Sequence, residues 1–202
     1  MLVVGLTGGI GCGKSLVSEL FHKLFSTPII DADIISRELT QTDSVINIIA
    51  QQLGTEYIDK NGNLLRDNLR QAIFSDPVIR NKLEKILHPL VYDQIEKRLN
   101  ELNTKYCLVV IPLLLETKRT EILDRILVVD CTVEEQISRV IQRDRCNESH
   151  VKSIIASQID RDSRLSLADD NIENSGTIES VKKLVVALHN KYIDLSNTLN
   201  TP

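Results

Sequence analysis

The stretch GGIGCGKS, at positions 8–15, has residue types and spacing suited to binding phosphates. It satisfies the pattern Gly-x4-Gly-Lys-Ser, in which glycines let backbone N–H groups turn toward phosphate oxygens. Lys14 can reach the β and γ phosphates of a nucleotide, and the Ser15 hydroxyl can ligate Mg²⁺. An apolar segment precedes the motif and an amphipathic one follows, which is the strand-and-helix context that the motif requires. The sequence therefore predicts a nucleoside triphosphate site.

Acidic residues follow two of the later apolar segments. In DADIISRE (31–38), Asp31 and Asp33 would project to one face at the carboxyl edge of a sheet if the chain is still extended there. A kinase needs a carboxylate at this edge to accept a hydrogen bond from the attacking hydroxyl. Alternatively, one of the two only caps a helix that starts near Ile34. Glu116, which ends the third predicted strand, could order metal-bound water or be an ordinary loop acid.

Two arginines are candidates for a closing lid. Arg139 and Arg143 lie one turn apart on the helix predicted after the fourth strand, and they point away from its apolar stripe of Val133, Ile137 and Ile141. Guanidinium groups placed over a triphosphate would stabilise charge on the transferring phosphoryl group. The alternative is a solvated helix face.

A phosphate loop alone does not separate a kinase from a GTPase switch or an ATPase motor. The segment DKNG (59–62) has the four letters of a γ-phosphate sensor, but its Asn-Gly pair within polar neighbours favours a turn. The segment NKLE (81–84) resembles a guanine-reading motif but lies in a helical pattern and ends in Glu. These observations favour a small-molecule kinase over a switch. A nucleoside or nucleotide kinase is one such enzyme that these motifs leave open.

The elements that must position these residues alternate between strands and helices. Short apolar runs without alternation predict buried strands of a parallel sheet; they cover residues 2–7, 27–30, 107–115, 125–130 and, more weakly, 170–174. Amphipathic helical patterns lie between them, so we predict a three-layer α/β fold. Residues 34–104 contain only helical stretches, which indicates a helical insertion for the substrate, and a polar helical stretch covers about 139–165.

Composition excludes several other classes of protein. The 202 residues carry a net charge of −4 without blocks of like charge, so nucleic acid is not expected as a partner. The four cysteines lie far apart without metal-ligand spacing, which favours reduced thiols in the cytoplasm. The apolar start MLVVGLT lacks a basic segment and is broken by glycines, so we expect a buried strand rather than a signal peptide or a membrane span.

Together these motifs resemble the dephospho-CoA kinase family over nearly the whole chain. The matching segments are GLTGGIGCGKS (5–15), DADIISRE (31–38), NGNLLRDNLRQAIF (61–74), LEKILHPLV (83–91), IPLLLE (111–116), RVIQRD (139–144) and ADDNIENSG (168–176). The resemblance implies phosphorylation of the ribose 3′-hydroxyl of dephospho-CoA, the last step of coenzyme A biosynthesis, with ATP and Mg²⁺. It implies a P-loop core (1–33, 105–138 and 166–196), a helical CoA-binding region (about 34–104) and a lid (about 139–165).

The resemblance also implies roles for individual residues. Asp33 would activate the 3′-hydroxyl, with Asp31 and Glu116 as further candidates for contacting the acceptor. His88, before Pro89, would lie near the acceptor or be a helix-boundary histidine without a catalytic role. Asn174, followed by Ser175 and Gly176, would lie near the adenine base unless it only shapes a loop. The residues expected to enclose the ATP phosphates are Gly11, Cys12, Gly13, Lys14, Ser15 and Leu16.

Overall fold

The described residues contain a five-stranded sheet. Its strands are β1 (Leu2–Gly8), β2 (Ile29–Asp31), β3 (Tyr106–Val110), β4 (Arg125–Asp130) and β5 (Asp170–Glu173), in the order β2-β3-β1-β4-β5. The pairs β1–β3, β1–β4 and β4–β5 run parallel. All residues of β1 and β3 are buried, as expected of strands covered on both faces. This computed structural model describes residues 1–117 and 119–199, without the side chains of Phe74 and Leu199.

Ten α-helices occur in the described residues. They are α1 (Lys14–Phe25), α2 (Ala32–Leu39), α3 (Asp43–Leu53), α4 (Arg66–Ser75), α5 (Pro77–Glu101), α6 (Leu114–Thr117), α7 (Val133–Asp144), α8 (Glu148–Ser157), α9 (Arg161–Ser166) and α10 (Ile178–Leu199). A 3₁₀ turn covers Thr55–Tyr57. Within residues 1–117 and 119–199, no helix is both long and apolar enough to cross a membrane.

The chain divides into two compact units. The first comprises Met1–Ile30 and Leu102–Pro202, and the second comprises Asp31–Glu101. In the first unit, α1 and α10 pack on the sheet, and Val17, Phe21, Val181 and Val185 enter the same apolar core as Leu6. Burial of apolar surface in this core stabilises the unit by roughly 25 cal/mol per Å².

The second unit is helical and has a core of its own. Val45 and Ile49 of α3 pack against Ile86 of α5. The segment DKNG forms a turn, because the Asp59 carboxylate accepts hydrogen bonds from the N–H groups of Asn61 and Asn63, both at 2.8 Å. NKLE lies within α5. Neither segment therefore has the geometry of a nucleotide sensor.

The predicted boundary of the third strand is wrong. The apolar run was expected to stay extended through Leu115, but β3 ends at Val110 and Leu114 begins α6. The Ile111 N–H still donates to the Leu6 carbonyl at 3.0 Å, whereas Pro112 has no N–H with which to continue a ladder. Apolarity alone therefore overestimated the length of the strand.

Candidate active site

The loop between β1 and α1 forms a glycine-lined cradle. Gly11 and Gly13 have φ angles of 74° and 94°, which L side chains rarely adopt. A Cβ at Gly13 would lie 2.2 Å from Nδ2 of Asn174, and one at Gly11 would lie 2.9 Å from the backbone oxygen of Gln136. Backbone N–H groups at the start of α1 can therefore approach an anion without side chains in the way.

Lys14 and Ser15 occupy the first turn of α1, as predicted. The Lys14 ammonium donates hydrogen bonds to the carbonyls of Gly8 at 2.8 Å and Gly9 at 3.0 Å, so it lies across the cradle. The Ser15 side chain is exposed. A hydroxyl oxygen suits Mg²⁺, which takes one or two protein ligands and completes its shell with phosphate oxygens and water. Within the described residues no cluster of His, Cys, Asp and Glu forms a metal site of its own.

A buried layer supports the cradle from below. Cys12 is fully buried, 3.2 Å from the thiol of Cys131 at the end of β4, and it accepts a hydrogen bond from Nε2 of Gln136 at 3.0 Å. The hydrogen bond from Cys131, helped by Gln136, Lys14 and Arg164, lowers the pKa of the Cys12 thiol below its usual value. The side chain of Cys12 thus packs beneath the backbone of the phosphate loop, and the groups around it favour negative charge.

Asn174 connects the loop after β5 to the same cradle. Its Nδ2 donates to the carbonyl of Cys12 at 2.7 Å, and its backbone N–H donates to the carbonyl of Asp130 at 2.8 Å. The side chain is 6% exposed. Its amide therefore holds the phosphate loop, and the expected proximity to adenine stays a prediction.

The two predicted lid arginines have different surroundings. Arg139 donates from Nη2 to Oε1 of Glu135 at 3.0 Å and to the carbonyl of Asn174 at 2.7 Å, while its buried Nη1 has no partner in the described residues. The hydrogen bond from Ser175 lowers the pKa of Glu135, which keeps this pair charged. Arg143 is exposed and pairs with Asp144 at 2.7 Å. Arg139 thus lies against Asn174, which holds the cradle, whereas Arg143 is exposed.

The buried face of α7 also differs from the prediction. Gln136 and Val140 are buried, whereas Val133, which was expected in the apolar stripe, is 40% exposed. The reason is that the face directed at the phosphate loop accommodates a glutamine amide for Cys12. A polar residue thus occupies an inward position that an apolar pattern does not reveal.

Asp31 and Asp33 do not continue an extended strand. Strand β2 ends at Asp31, and α2 begins at Ala32. Oδ1 of Asp31 accepts hydrogen bonds from the N–H groups of Asp33 at 2.8 Å and Ile34 at 3.2 Å, so Asp31 is the helix N-cap. The expectation that both acids project from one strand face is wrong, since capping turns the chain. Asp33 is exposed in the first turn of α2.

Glu116 and His88 also lie in helices. Glu116 is in α6 rather than at a strand end, and its Oε1 accepts a hydrogen bond from the N–H of Ile159 at 3.1 Å. His88 lies in the interior of α5, which continues through Pro89. His88 is therefore not a helix-boundary residue, and its predicted nearness to an acceptor remains a prediction.

The junction of α8 and α9 contributes residues that the sequence analysis did not assign. Gln158 accepts a hydrogen bond from the N–H of Ile10 at 2.9 Å. Arg161 pairs with Asp130 at 2.6 Å, and Arg164, which is 5% exposed, lies beside Gly9. The sequence signal was the cluster of polar residues directly after an amphipathic helix. The sequence did not show that these residues contact the phosphate loop, because that contact depends on the fold.

Comparisons with known proteins show the family of this chain. A family model described as dephospho-CoA kinase matches residues 2–180. A curated relative of that name from Thiobacillus denitrificans is 43% identical and covers 97% of this chain and 98% of its own. The solved structure of TT1252 from Thermus thermophilus has a TM-score of 0.80 at 26% identity, covering 94% of this chain and 97% of the other.

A second solved structure supports the fold alone. It is a dephospho-CoA kinase from Campylobacter jejuni, with a TM-score of 0.71 at 24% identity, covering 95% of this chain and 97% of the other. The predicted three-layer P-loop fold is thereby confirmed. The family model and the curated relative confirm the predicted family. With its phosphate cradle and its match over nearly the full length, the chain belongs to the dephospho-CoA kinase family.

Proposed function

We propose that this chain transfers the γ-phosphoryl group of ATP to the ribose 3′-hydroxyl of dephospho-CoA, yielding CoA and ADP. The observation that carries this proposal is the cradle formed by Gly11, Gly13 and Lys14 in a chain that matches the dephospho-CoA kinase model over residues 2–180. The cradle accounts for the donor, and the family accounts for the acceptor.

The donor half follows from charge and geometry. Lys14 would exchange its bonds to the carbonyls of Gly8 and Gly9 for the β and γ phosphates. Bound Mg²⁺ would neutralise phosphate charge, with Ser15 as its protein ligand. Arg139, whose Nη1 has no hydrogen-bond partner in the described residues, would meet charge that develops on the transferring group. Arg143 would have to leave Asp144 to join it.

The acceptor half rests on Asp33. From its exposed position in the first turn of α2, Asp33 would accept the proton of the attacking hydroxyl. The Asp31 carboxylate caps α2 by accepting hydrogen bonds from two N–H groups, and we assign it to contacts with the acceptor. We assign His88 and Glu116 to contacts with dephospho-CoA, Asn174 to the adenine side, residues of about 34–104 to CoA binding, and about 139–165 to a lid.

The setting of the reaction follows from the thiols and the substrates. All four cysteines are free thiols, which suits a reducing cytoplasm where ATP is abundant. We infer that ATP and dephospho-CoA are the partners and that nucleic acid is not, since the net charge is −4.

An acceptor panel tests the proposal. Purified protein with ATP and Mg²⁺ is incubated with dephospho-CoA, a nucleoside, a nucleoside monophosphate or shikimate, and ADP release is followed. Release that depends on dephospho-CoA alone is expected. Turnover with another acceptor and none with dephospho-CoA would assign the chain to another small-molecule kinase. Slow hydrolysis of a guanine nucleotide without any acceptor would instead indicate a switch.

A further inference from the structure

We propose that Gln158 is a positioning residue that orders the first half of the phosphate loop for ATP. The inference rests on the proposed kinase function, because it concerns the ATP site of that reaction. Gln158 would not touch the reacting atoms. It would act through the peptide group that joins Gly9 to Ile10.

The contact joins distant parts of the chain. The N–H of Ile10 donates to Oε1 of Gln158 at 2.9 Å across 148 residues of sequence. Inside the loop, the nearby hydrogen bond from the N–H of Cys12 to the carbonyl of Gly9 is longer, at 3.2 Å. One hydrogen bond to the first half of the loop therefore comes from outside the loop, and its acceptor is an uncharged side-chain oxygen.

Gln158 is itself held by a fixed backbone. Its N–H donates to the carbonyl of Ile155 at 3.1 Å, which ends α8. The next residue, Ile159, donates its N–H to Glu116 at 3.1 Å and accepts from Nη2 of Arg164 at 2.7 Å. These hydrogen bonds fix the backbone at residues 158 and 159, and the Gln158 amide is thereby directed at Ile10. Because this side chain is already ordered, it can orient the loop with little further loss of conformational entropy when ATP binds.

The neighbouring charges explain why the oxygen should be neutral. Lys14 lies across Gly8 and Gly9, and a Cβ on Gly9 would lie 2.9 Å from Nη1 of Arg164. These cations attract phosphate. A carboxylate at position 158 would also accept the Ile10 N–H, but it would compete with ATP for the same cations. An uncharged amide accepts the hydrogen bond from the loop without pairing with Lys14 or Arg164, so both cations stay available to the phosphates of ATP.

The expected consequence is a loss in ATP affinity rather than in chemistry. Removing one neutral hydrogen bond of this kind should raise both the Kd and the KM for ATP about 2- to 10-fold. The turnover number should change less than about 2-fold, because Gln158 would act on the Ile10 peptide and not on Lys14 or Arg139, which we assign to the transferring group. The KM for dephospho-CoA should be unchanged.

The test compares Gln158→Met with Asn190→Leu. The first keeps the length of the side chain and removes the acceptor, and the second also replaces an amide by an apolar side chain of similar size, at an exposed position of α10 outside the proposed lid. We expect Gln158→Met alone to raise the Kd for ATP, measured calorimetrically without acceptor, and to speed hydrogen exchange of the Ile10 amide. Gln158→Asn, which is one methylene too short, provides the same measurements if the methionine variant does not fold.

Two results separate this inference from the proposed function. If wild-type protein phosphorylates dephospho-CoA but Gln158→Met leaves the Kd, the KM for ATP and the Ile10 exchange rate unchanged, Gln158 has no positioning role. The same conclusion follows if the variant only lowers the melting temperature. If Gln158→Met weakens ATP binding although the wild type never acts on dephospho-CoA, the positioning role stands and the proposed acceptor is wrong.

Discussion

Replacing Gly13 by alanine should damage the cradle in two ways. The new Cβ would sit at a φ of 94°, which costs about 1–2 kcal/mol for an L residue. It would also meet Nδ2 of Asn174 at 2.2 Å and displace the hydrogen bond to the Cys12 carbonyl. Leaving that buried amide without its partner costs about 1–3 kcal/mol more. The sum is a loss of roughly 2–5 kcal/mol in the free energy of unfolding.

Thermal unfolding and ATP calorimetry measure this loss. At about 2–4 °C per kcal/mol for a chain of this size, Gly13→Ala should lower the melting temperature by roughly 4–20 °C. Gly62→Ala is the matched control, because Gly62 has a φ of 85° and a Cβ there would meet nothing within 4 Å. It should show only the backbone strain. ATP binding should fail in Gly13→Ala and persist in Gly62→Ala.

A double variant separates the clash from the strain. Asn174→Ala removes the amide that the new Cβ would strike, so the cost of Gly13→Ala in that background should fall toward that of Gly62→Ala. Equal melting temperatures for Gly13→Ala and Gly62→Ala, or strict additivity with Asn174→Ala, would refute the reasoning about this contact.

Three further predictions concern proton transfer, the metal and pH. Asp33→Asn should keep ATP binding and lose about 10²- to 10⁴-fold in turnover; near-wild-type turnover would remove Asp33 from the base role. Ser15→Ala should raise the Mg²⁺ concentration for half-maximal activity by roughly tenfold or more, and an unchanged Mg²⁺ titration would exclude Ser15 as a ligand. Burial lowers the pKa of His189 from 6.5, so its neutral form favours folding, and this contribution is lost as the pH falls below 6.5. The melting temperature of His189→Gln should therefore fall less between pH 7.5 and pH 5.5 than that of the wild type. An equal or larger fall would contradict this assignment.

Much of the fold was predictable because local and global signals agree. Strand β4 matches its apolar run, Arg125–Asp130, residue for residue, and Lys14 begins a helix directly after the glycines. In both places buried apolar surface and local backbone preference favour the same conformation. Short-range patterns are then sufficient.

The site was only partly predictable because its contacts join distant residues. Asp31 could be a strand residue or a cap, and only the observed N–H groups of Asp33 and Ile34 decide for the cap. Gln136 and Gln158 reach the phosphate loop across 124 and 148 residues. No periodicity records such pairings, since they depend on how β4 and the segments after it are placed against β1.

The position of the new phosphate in the product tests the central claim most directly. Dephospho-CoA is incubated with the protein, Mg²⁺ and ATP, and the product is analysed by mass spectrometry and ³¹P NMR. We expect a gain of one phosphoryl group, bonded to the ribose 3′-oxygen, in equal amount to the ADP released. Recovery of unmodified dephospho-CoA beside hydrolysed ATP, or phosphate on another oxygen, would contradict the proposed reaction.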